Sequence, residues 1–125
     1  MADFITMISE PRGNYRLLDS GGGRKWEAYG DVRVIRPEPQ ALWTSASENW
    51  SADAEFVPGA DEDGGGRWEH RGGKASGEWT LGWEEVRFAA HCTPFRHLGY
   101  FPDMAPVWHW MRARIADKAD PECLN

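Results

Sequence analysis

The stretch YRLLDSGGGRKWEAYGDVRVIRP, residues 15–37, sets the fold class of this chain. The glycines at 21–23 and Gly30 divide it into three short segments. In the last segment Val32 and Val34 flank an arginine, which is the two-residue period of a half-buried strand. Glycine readily adopts the backbone conformations that tight hairpin turns require. The stretch therefore predicts three short antiparallel strands that are joined by turns.

The β pattern continues downstream of this stretch. Pro37 and Pro39 favour an extended connection, since proline cannot donate to a sheet ladder. The segments ADAEFVP and RWEH each predict one short strand. In EWTLGWEEVRFAAHC the alternation changes phase at Glu84 and Glu85, which predicts two strands separated by a turn or bulge. The total is about six to seven short strands.

The segment HLGYFPDMAPVWHWM, residues 97–111, leads from a turn into a predicted helix. Spacings of four, three and four residues place apolar side chains on one helical stripe, which we expect to face a core: Met104, Trp108, Met111 and Ile115. We expect Asp103 to be the N-cap and Pro106 to lie in the first turn. Trp110 falls outside the stripe, which suggests a second packing partner. The predicted fold class is α+β, with a small mostly antiparallel β domain followed by one C-terminal helix.

Length and composition exclude several classes of protein. A chain of 125 residues with 41% hydrophobic residues predicts one soluble globular domain. No apolar run approaches the roughly 18 residues that a membrane span needs, and the start MADFITMISEPRG lacks the features of a secretory signal. We therefore expect a cytoplasmic protein that does not contact a membrane. The net charge of −6 means that any nucleic-acid binding requires a local basic patch.

Histidines and cysteines suggest two kinds of chemistry that their spacing does not support: His91, Cys92, His97, His109 and Cys123. No pair has the short Cys spacing of a structural zinc site, so we expect no metal. A thiol nucleophile made from Cys92 and His97 would need an activating context that the neighbouring residues do not supply. We expect both thiols to be reduced, and we assign no catalytic residue in this chain.

Basic residues and tryptophans are interleaved at two places in the β region, Arg24–Lys25–Trp26 and Arg67–Trp68. Such residues can hold phosphates and stack on bases, so these five residues are the candidates for substrate binding. In the alternative interpretation, the rings fill a core and the arginines are only solvated at its border. The sequence contains eight tryptophans and leaves both interpretations open.

Three segments together resemble a known family: YRLLDSGGGRKWEAYGDVRVIRPEPQALW, HLGYFPDMAPVWHWM and the final CLN. They are similar to the N-terminal part of bacterial class I S-adenosylmethionine (SAM)-dependent methyltransferases of the ribosomal RNA type. The family pattern has an LLDSG-G-K-E-(F/Y)G hairpin, an RP-PQALW connection and an H-(T/L)G-FPEQ turn before a helix that carries a tryptophan. Met104 stands where the family usually has glutamine.

The resemblance implies a small β-rich domain over residues 1–96. Residues 97–125 would then form a turn, a helix and the first residues of a strand that leads into a doubly wound catalytic domain, which is missing here. That domain would be the main partner of this chain, with RNA as a further partner. Gly99 would allow a tight turn, Phe101 and Pro102 would form a lip beside the cofactor, and Asp103 would face the cofactor.

The function that the resemblance implies is that of the substrate-side domain of a SAM-dependent methyltransferase acting on ribosomal RNA. The enzyme would be active as the full-length protein with SAM as its cofactor, and these 125 residues alone would be inactive. The alternative is a free-standing Trp-rich β module that binds a flat ligand, such as a carbohydrate, by stacking. A remnant without function is the third hypothesis.

Overall fold

A computed structural model describes residues 3–9, 14–60 and 65–124. The chain divides into two compact units, Pro11–Tyr100 and a second unit made of Met1–Glu10 with Phe101–Asn125. The described residues form these elements in chain order: β1 (Tyr15–Gly21), β2 (Arg24–Tyr29), β3 (Val32–Pro37), β4 (Ala54–Pro58), β5 (Gly66–His70), β6 (Trp79–Trp83), β7 (Val86–Ala90), a 3₁₀ turn (Pro102–Met104) and α1 (Ala105–Ile115). The predicted α+β class with a small β domain and one C-terminal helix is confirmed.

Strands β1 to β5 form one sheet in chain order. All neighbours in this sheet pair antiparallel except β3 and β4, which pair parallel at Val34↔Ala54 and Ile35↔Glu55. A parallel pair requires a connection that crosses over the sheet, because both strands run in the same direction. Here the connection is formed by residues 38–53, and it covers one face of the sheet with loop side chains.

The turns between the first three strands follow the glycine pattern of the sequence. Gly22 and Gly23 have φ values of 58° and 76°, which fits a two-residue type I′ hairpin turn. Gly30 has a φ of 65° and begins the next turn. Between β6 and β7 the equivalent position is occupied by Glu84 with a φ of 52°, a conformation that L residues rarely adopt. The predicted phase change at this point is therefore a strained two-residue turn.

The five-stranded sheet has two faces with different side chains. The core face carries the following buried residues: Glu27, Tyr29, Val32, Val34, Ala54 and Phe56. The opposite face, which we call the outer face, carries residues from the alternate positions: Arg16, Arg24, Trp26, Ala28, Arg33, Ile35 and Glu55. Because side chains alternate along a strand, neighbours in sequence on β2 serve different faces.

The hairpin of β6 and β7 completes the core of this unit. Leu81 is fully buried, and the Trp79 indole Nε1 donates a hydrogen bond of 3.1 Å to the Tyr29 carbonyl oxygen. Tyr100 lies against Phe88 with ring centroids 5.0 Å apart. Leu98 and Tyr100 are both buried, so residues 97–100 belong to the β unit.

The helical segment differs from the sequence-based expectation at its start. The Met104 N–H donates to the Phe101 carbonyl oxygen at 3.1 Å, which is the hydrogen bond of a 3₁₀ turn. Asp103 therefore lies inside this turn, and the predicted N-cap was wrong: α1 has Met104 at that position without a side-chain hydrogen bond. Pro106 lies in the first turn of α1, as predicted.

The apolar stripe of the helix is not buried in the structure, contrary to expectation. Neither the 3₁₀ turn nor α1 contains a buried residue, and Met111 is 47% exposed. Trp110 is 42% exposed, and the Arg114 guanidinium lies 5.2 Å from its ring centroid. Residues 116–124 form no strand, while Asn125 lies outside the described residues. Across the described part of the chain, no helix has the length and apolar character of a membrane span.

Candidate functional site

The outer face of the sheet carries two stacked indole rings, each of which is covered by an arginine guanidinium group on its far side. Trp26 stacks on Trp50 with ring centroids 6.2 Å apart and an interplanar angle of 17°. The Arg33 guanidinium carbon lies 5.6 Å from the Trp26 ring, and that of Arg24 lies 5.6 Å from the Trp50 ring. We call these four residues the Trp–Arg stack. Cation–π contacts of this kind help to fix the orientation of an arginine side chain.

Asp19 holds the loop that supplies Trp50. Its Oδ1 accepts hydrogen bonds from the backbone N–H groups of Ser20 and Ala46, at 2.8 and 3.2 Å. Its Oδ2 accepts the Ser47 N–H at 3.0 Å and the Trp50 indole N–H at 2.9 Å. Above all the Trp50 hydrogen bond, with help from the backbone donors, lowers the pKa of Asp19 below its ordinary value. The ionised carboxylate is therefore the form that organises this loop.

We expect Asp19→Asn to loosen the Trp50 loop at neutral pH, because an amide is a weaker acceptor than a carboxylate. Since the folded pKa is depressed, the stabilisation is present above the unfolded value of about 3.9 and is lost as the pH falls through the folded value. The Trp50 indole ¹H–¹⁵N resonance in the wild type should thus move toward that of the variant in acid. Asp31→Asn, in an exposed turn, is the charge-matched control. An unchanged Trp50 resonance in Asp19→Asn would contradict this role.

A groove of about 500 Å³ opens beside the Trp–Arg stack. Its walls include residues of three strands, of the loop 38–53 and of the segment after β5: Gly21, Arg24, Trp43, Ser47, Trp50, Glu55 and Arg71. Arg24 and Arg71 both contact the Glu55 carboxylate, at 3.1 and 2.6 Å. Trp43 is 57% exposed, and its indole N–H donates to the Ser20 carbonyl oxygen at 3.0 Å. The groove thus offers the exposed ring of Trp43, the stacked ring of Trp50 and two arginines that share one carboxylate.

A second, more polar cavity of about 270 Å³ lies farther along the outer face, and we call it the basic cavity. Three cationic side chains line it, from β1, β3 and the loop before β6: Arg16, Arg33 and Lys74. Asp31 and Asp53 are the carboxylates in its wall. The Asp53 Oδ2 accepts the Arg33 backbone N–H at 2.8 Å, so this carboxylate is already committed to the backbone.

The structure separates the predicted substrate-binding residues. Arg24 and Trp26 lie together on the outer face, in the Trp–Arg stack. Lys25 lies on the core side of β2, where its Nζ is 3.7 Å from the Glu27 carboxylate and 3.4 Å from that of Glu38. Of the three predicted residues on β2, Arg24 and Trp26 therefore lie together on the outer face, and Lys25 does not.

The two predicted residues of β5 also serve different faces. The Arg67 Nη2 is 2.7 Å from the exposed Glu69 carboxylate. Trp68 points the opposite way: its indole N–H donates to the Thr93 carbonyl oxygen at 2.8 Å, and its ring packs edge-on against Phe56. Trp68 is half-buried and packs on the core side of the sheet, and its role in substrate binding stays a prediction. Trp50 and Arg33 belong to the stack but were not among the predicted residues.

A buried ionic network, which the sequence analysis missed, lies beneath the outer face. Glu27 is 0% exposed, and the Arg36 Nε and Nη2 donate to its two oxygens at 2.7 Å each. The Tyr15 hydroxyl donates to Glu27 Oε1 at 2.9 Å. Tyr29 accepts a hydrogen bond of 2.7 Å from Arg36 Nη2. Burial raises the pKa of both tyrosines well above their ordinary range, so they remain neutral.

The network explains several residues of the quoted hairpin motif. Lys25, Glu27, Tyr29 and Arg36 are all members of the stretch that set the fold class. Burial opposes the charge of Arg36, yet the hydrogen bonds from its guanidinium to Glu27 raise the pKa of Arg36, so this guanidinium stays charged. These residues of the motif therefore form the ionic network on the core side of the sheet.

The residues that the resemblance associates with a cofactor belong to both units. Gly99, in the β unit, has a φ of 78°, and its N–H donates to the His97 Nδ1 at 3.2 Å. Phe101 is 50% exposed. Pro102 and Asp103 lie in the 3₁₀ turn. The tight turn at Gly99 is present, and the cofactor role of these residues stays a prediction.

The thiols and histidines show no activated arrangement. Cys92 and Cys123 are free thiols. Burial raises the pKa of Cys92 to about 11, which is the opposite of what a thiolate nucleophile requires. Within the described ranges, no three His, Cys, Asp or Glu side chains are grouped so that they could hold a metal ion.

Comparison with solved structures gives a clear similarity. The chain is similar to the crystal structure of a SAM-dependent methyltransferase from Agrobacterium tumefaciens, with a TM-score of 0.79 and 37% sequence identity. The match covers 92% of this chain and 36% of the methyltransferase. No protein-family model and no curated protein matches the chain. The chain therefore has the fold of a segment of a SAM-dependent methyltransferase, and more than a third of the aligned residues are identical.

Proposed function

We propose that this chain is the substrate-side domain of a SAM-dependent methyltransferase that acts on RNA, with ribosomal RNA as the substrate, in the cytoplasm. The observation that carries the proposal is the 37% identity to a SAM-dependent methyltransferase over 92% of the chain. Methyl transfer would take place in a separate doubly wound domain of the full-length enzyme. That domain would also be the packing partner of Trp110.

The outer face supports a role in binding RNA. Proteins recognise RNA bases mainly by stacking them on aromatic rings or on arginine guanidinium planes. In the Trp–Arg stack each indole is already covered by an arginine, so Arg24 and Arg33 are the groups that a base would meet first. The side chain of Arg24 is 54% exposed, so a ligand can reach its guanidinium from the solvent. The outer face thus combines stacking surfaces with positive charge despite the acidic composition of the chain.

The described residues do not fit a complete SAM site. A class I methyltransferase holds SAM at the carboxyl ends of parallel strands, with a glycine-rich turn leading into a helix. The parallel pairing among the described residues is limited to two residue pairs of β3 and β4, and residues 38–53 between these strands contain no helix. The resemblance alone associates Gly99, Phe101, Pro102 and Asp103 with the cofactor. No step of methyl transfer is assigned to this chain.

We expect residues 1–125 to show no saturable heat when they are titrated with SAM by isothermal calorimetry. The physical reason is that the groups that would enclose the adenosine and the methionine of the cofactor are not built by these strands. The same titration of the Agrobacterium methyltransferase serves as the positive control for the cofactor preparation. A dissociation constant in the micromolar range for residues 1–125 would contradict this division of function.

A further inference from the structure

The basic cavity has a shape that follows from the register of the sheet. Arg16 on β1 and Arg33 on β3 both pair with Ala28 on β2, so the three residues form one row across the outer face. Directly paired residues in a sheet have Cβ atoms about 5 Å apart on the same face. Because Ala28 is small, the row leaves open space between the two arginines. Lys74 adds a third cation to the wall of this space.

The cations of this cavity differ from four arginines of the β unit that are paired with carboxylates. Arg24, Arg36, Arg67 and Arg71 each contact a carboxylate within 3.1 Å. In contrast, no ion pair is formed by the three cations of the cavity within the part of the chain that the structure describes: Arg16, Arg33 and Lys74. Grouped cations without carboxylate partners repel one another, and an anion between them relieves that repulsion.

We propose that the basic cavity binds a backbone phosphate of single-stranded RNA, with Arg16, Arg33 and Lys74 as its ligands. This inference rests on the proposed function and deepens it, because it assigns a phosphate subsite to the RNA-binding surface. Arginine and lysine are the usual phosphate ligands in such interfaces. The two carboxylates of the wall leave one excess positive charge, since Asp31 and Asp53 offset two of the three cations.

Arg33 connects the cavity to the Trp–Arg stack. The same side chain lines the basic cavity and lies 5.6 Å above the Trp26 ring. A phosphate in the cavity would therefore stand next to a guanidinium plane on which a neighbouring base can stack. Alternation of cationic and aromatic groups along a groove is typical of proteins that bind single strands. This continuity favours a nucleic-acid strand over a free phosphate ion as the occupant.

The test uses fluorescence anisotropy of residues 1–125 with a labelled 12-nucleotide single-stranded RNA of mixed sequence. We expect Arg16→Gln, Arg33→Gln and Lys74→Gln each to weaken binding about three- to tenfold and to reduce the salt slope by about 0.7. Arg96→Gln is the matched control, because Arg96 is an exposed arginine of the same unit and does not line the cavity. Circular dichroism melts verify that each variant is folded.

The outcomes separate the subsite from the function on which it rests. Wild-type binding that falls in the three variants but not in Arg96→Gln supports the subsite. Binding that is unchanged in these variants but falls in Arg24→Gln overturns the subsite and leaves RNA binding standing. If the RNA does not bind but inorganic pyrophosphate does, and the variants abolish its binding, the cavity is an anion site and the RNA proposal fails. Binding of neither probe overturns both.

Discussion

Glu27→Gln is expected to lower the free energy of unfolding by about 3 to 5 kcal/mol, because it removes one partner of a buried ion pair. Glu27 is fully buried, and the Arg36 side chain is only 14% exposed. The variant leaves a guanidinium in the interior without a carboxylate, and the Tyr15 hydroxyl loses its carboxylate acceptor. A loss of this size is a large part of the roughly 5 to 15 kcal/mol that stabilises a typical domain. Chemical denaturation in urea measures it.

A double variant separates the cost of an unpaired charge from the value of the pair. Replacing both partners, in Glu27→Leu with Arg36→Met, removes both buried charges, and we expect it to cost less than the sum of the single variants. Glu69→Gln is the control, since it breaks an exposed ion pair with Arg67 that contributes at most about 1 kcal/mol. If Glu27→Gln cost no more than this control, the network would not stabilise the fold.

The second large effect is expected for Gly21→Ala. Gly21 has a φ of 151°, and an added Cβ would overlap the backbone of Ser45 and Thr44. The backbone strain of about 1 to 3 kcal/mol adds to a packing cost of about 1 to 3 kcal/mol, which gives a loss of about 2 to 6 kcal/mol. The overlap pushes the loop away from the hairpin, so the Gly22 N–H would also lose its bond to the Trp43 carbonyl oxygen. Thermal and urea denaturation both report this loss.

Gly22→Ala is the matched control for this prediction. A Cβ at Gly22 meets no atom within 4 Å, and the φ of 58° lies in the left-handed region, which alanine can adopt at a moderate cost. The control should therefore lose only the strain of about 1 to 2 kcal/mol for a left-handed residue. Equal losses in the two variants would show that the contact between the hairpin turn and the Ser45 loop does not contribute to stability.

The strands were predictable because their signals are local. Alternating side chains and turn glycines act over two to four residues, and the three strands of residues 15–37 form where these signals place them. Glu84 shows the same principle without glycine, since the change of phase alone located the turn. The N-cap at Asp103 failed because a 3₁₀ turn begins one residue earlier, at Pro102, and includes it.

The functional surface was only partly predictable because its contacts are distant in sequence. Trp50 contacts Trp26 because the connection formed by residues 38–53 crosses the sheet. No periodicity in the sequence indicates that crossing. For the buried network a signal existed: alternation places Glu27 on the same side as Tyr29, which faces the core. A charged residue at a core position predicts a buried partner, and Arg36 lies opposite on the neighbouring strand, paired with Lys25.

On strand β2, the even-numbered and odd-numbered positions face opposite sides of the sheet and have different functions. Even positions of β2, such as Arg24 and Trp26, form the outer face, whereas the odd position Glu27 maintains the interior. A substitution at an even position of this strand therefore leaves the ionic network beneath it intact. Ligand preference in this domain can therefore diverge between related proteins, or be redesigned, through substitutions at the outer-face positions of β2, while the core-face positions keep the domain folded.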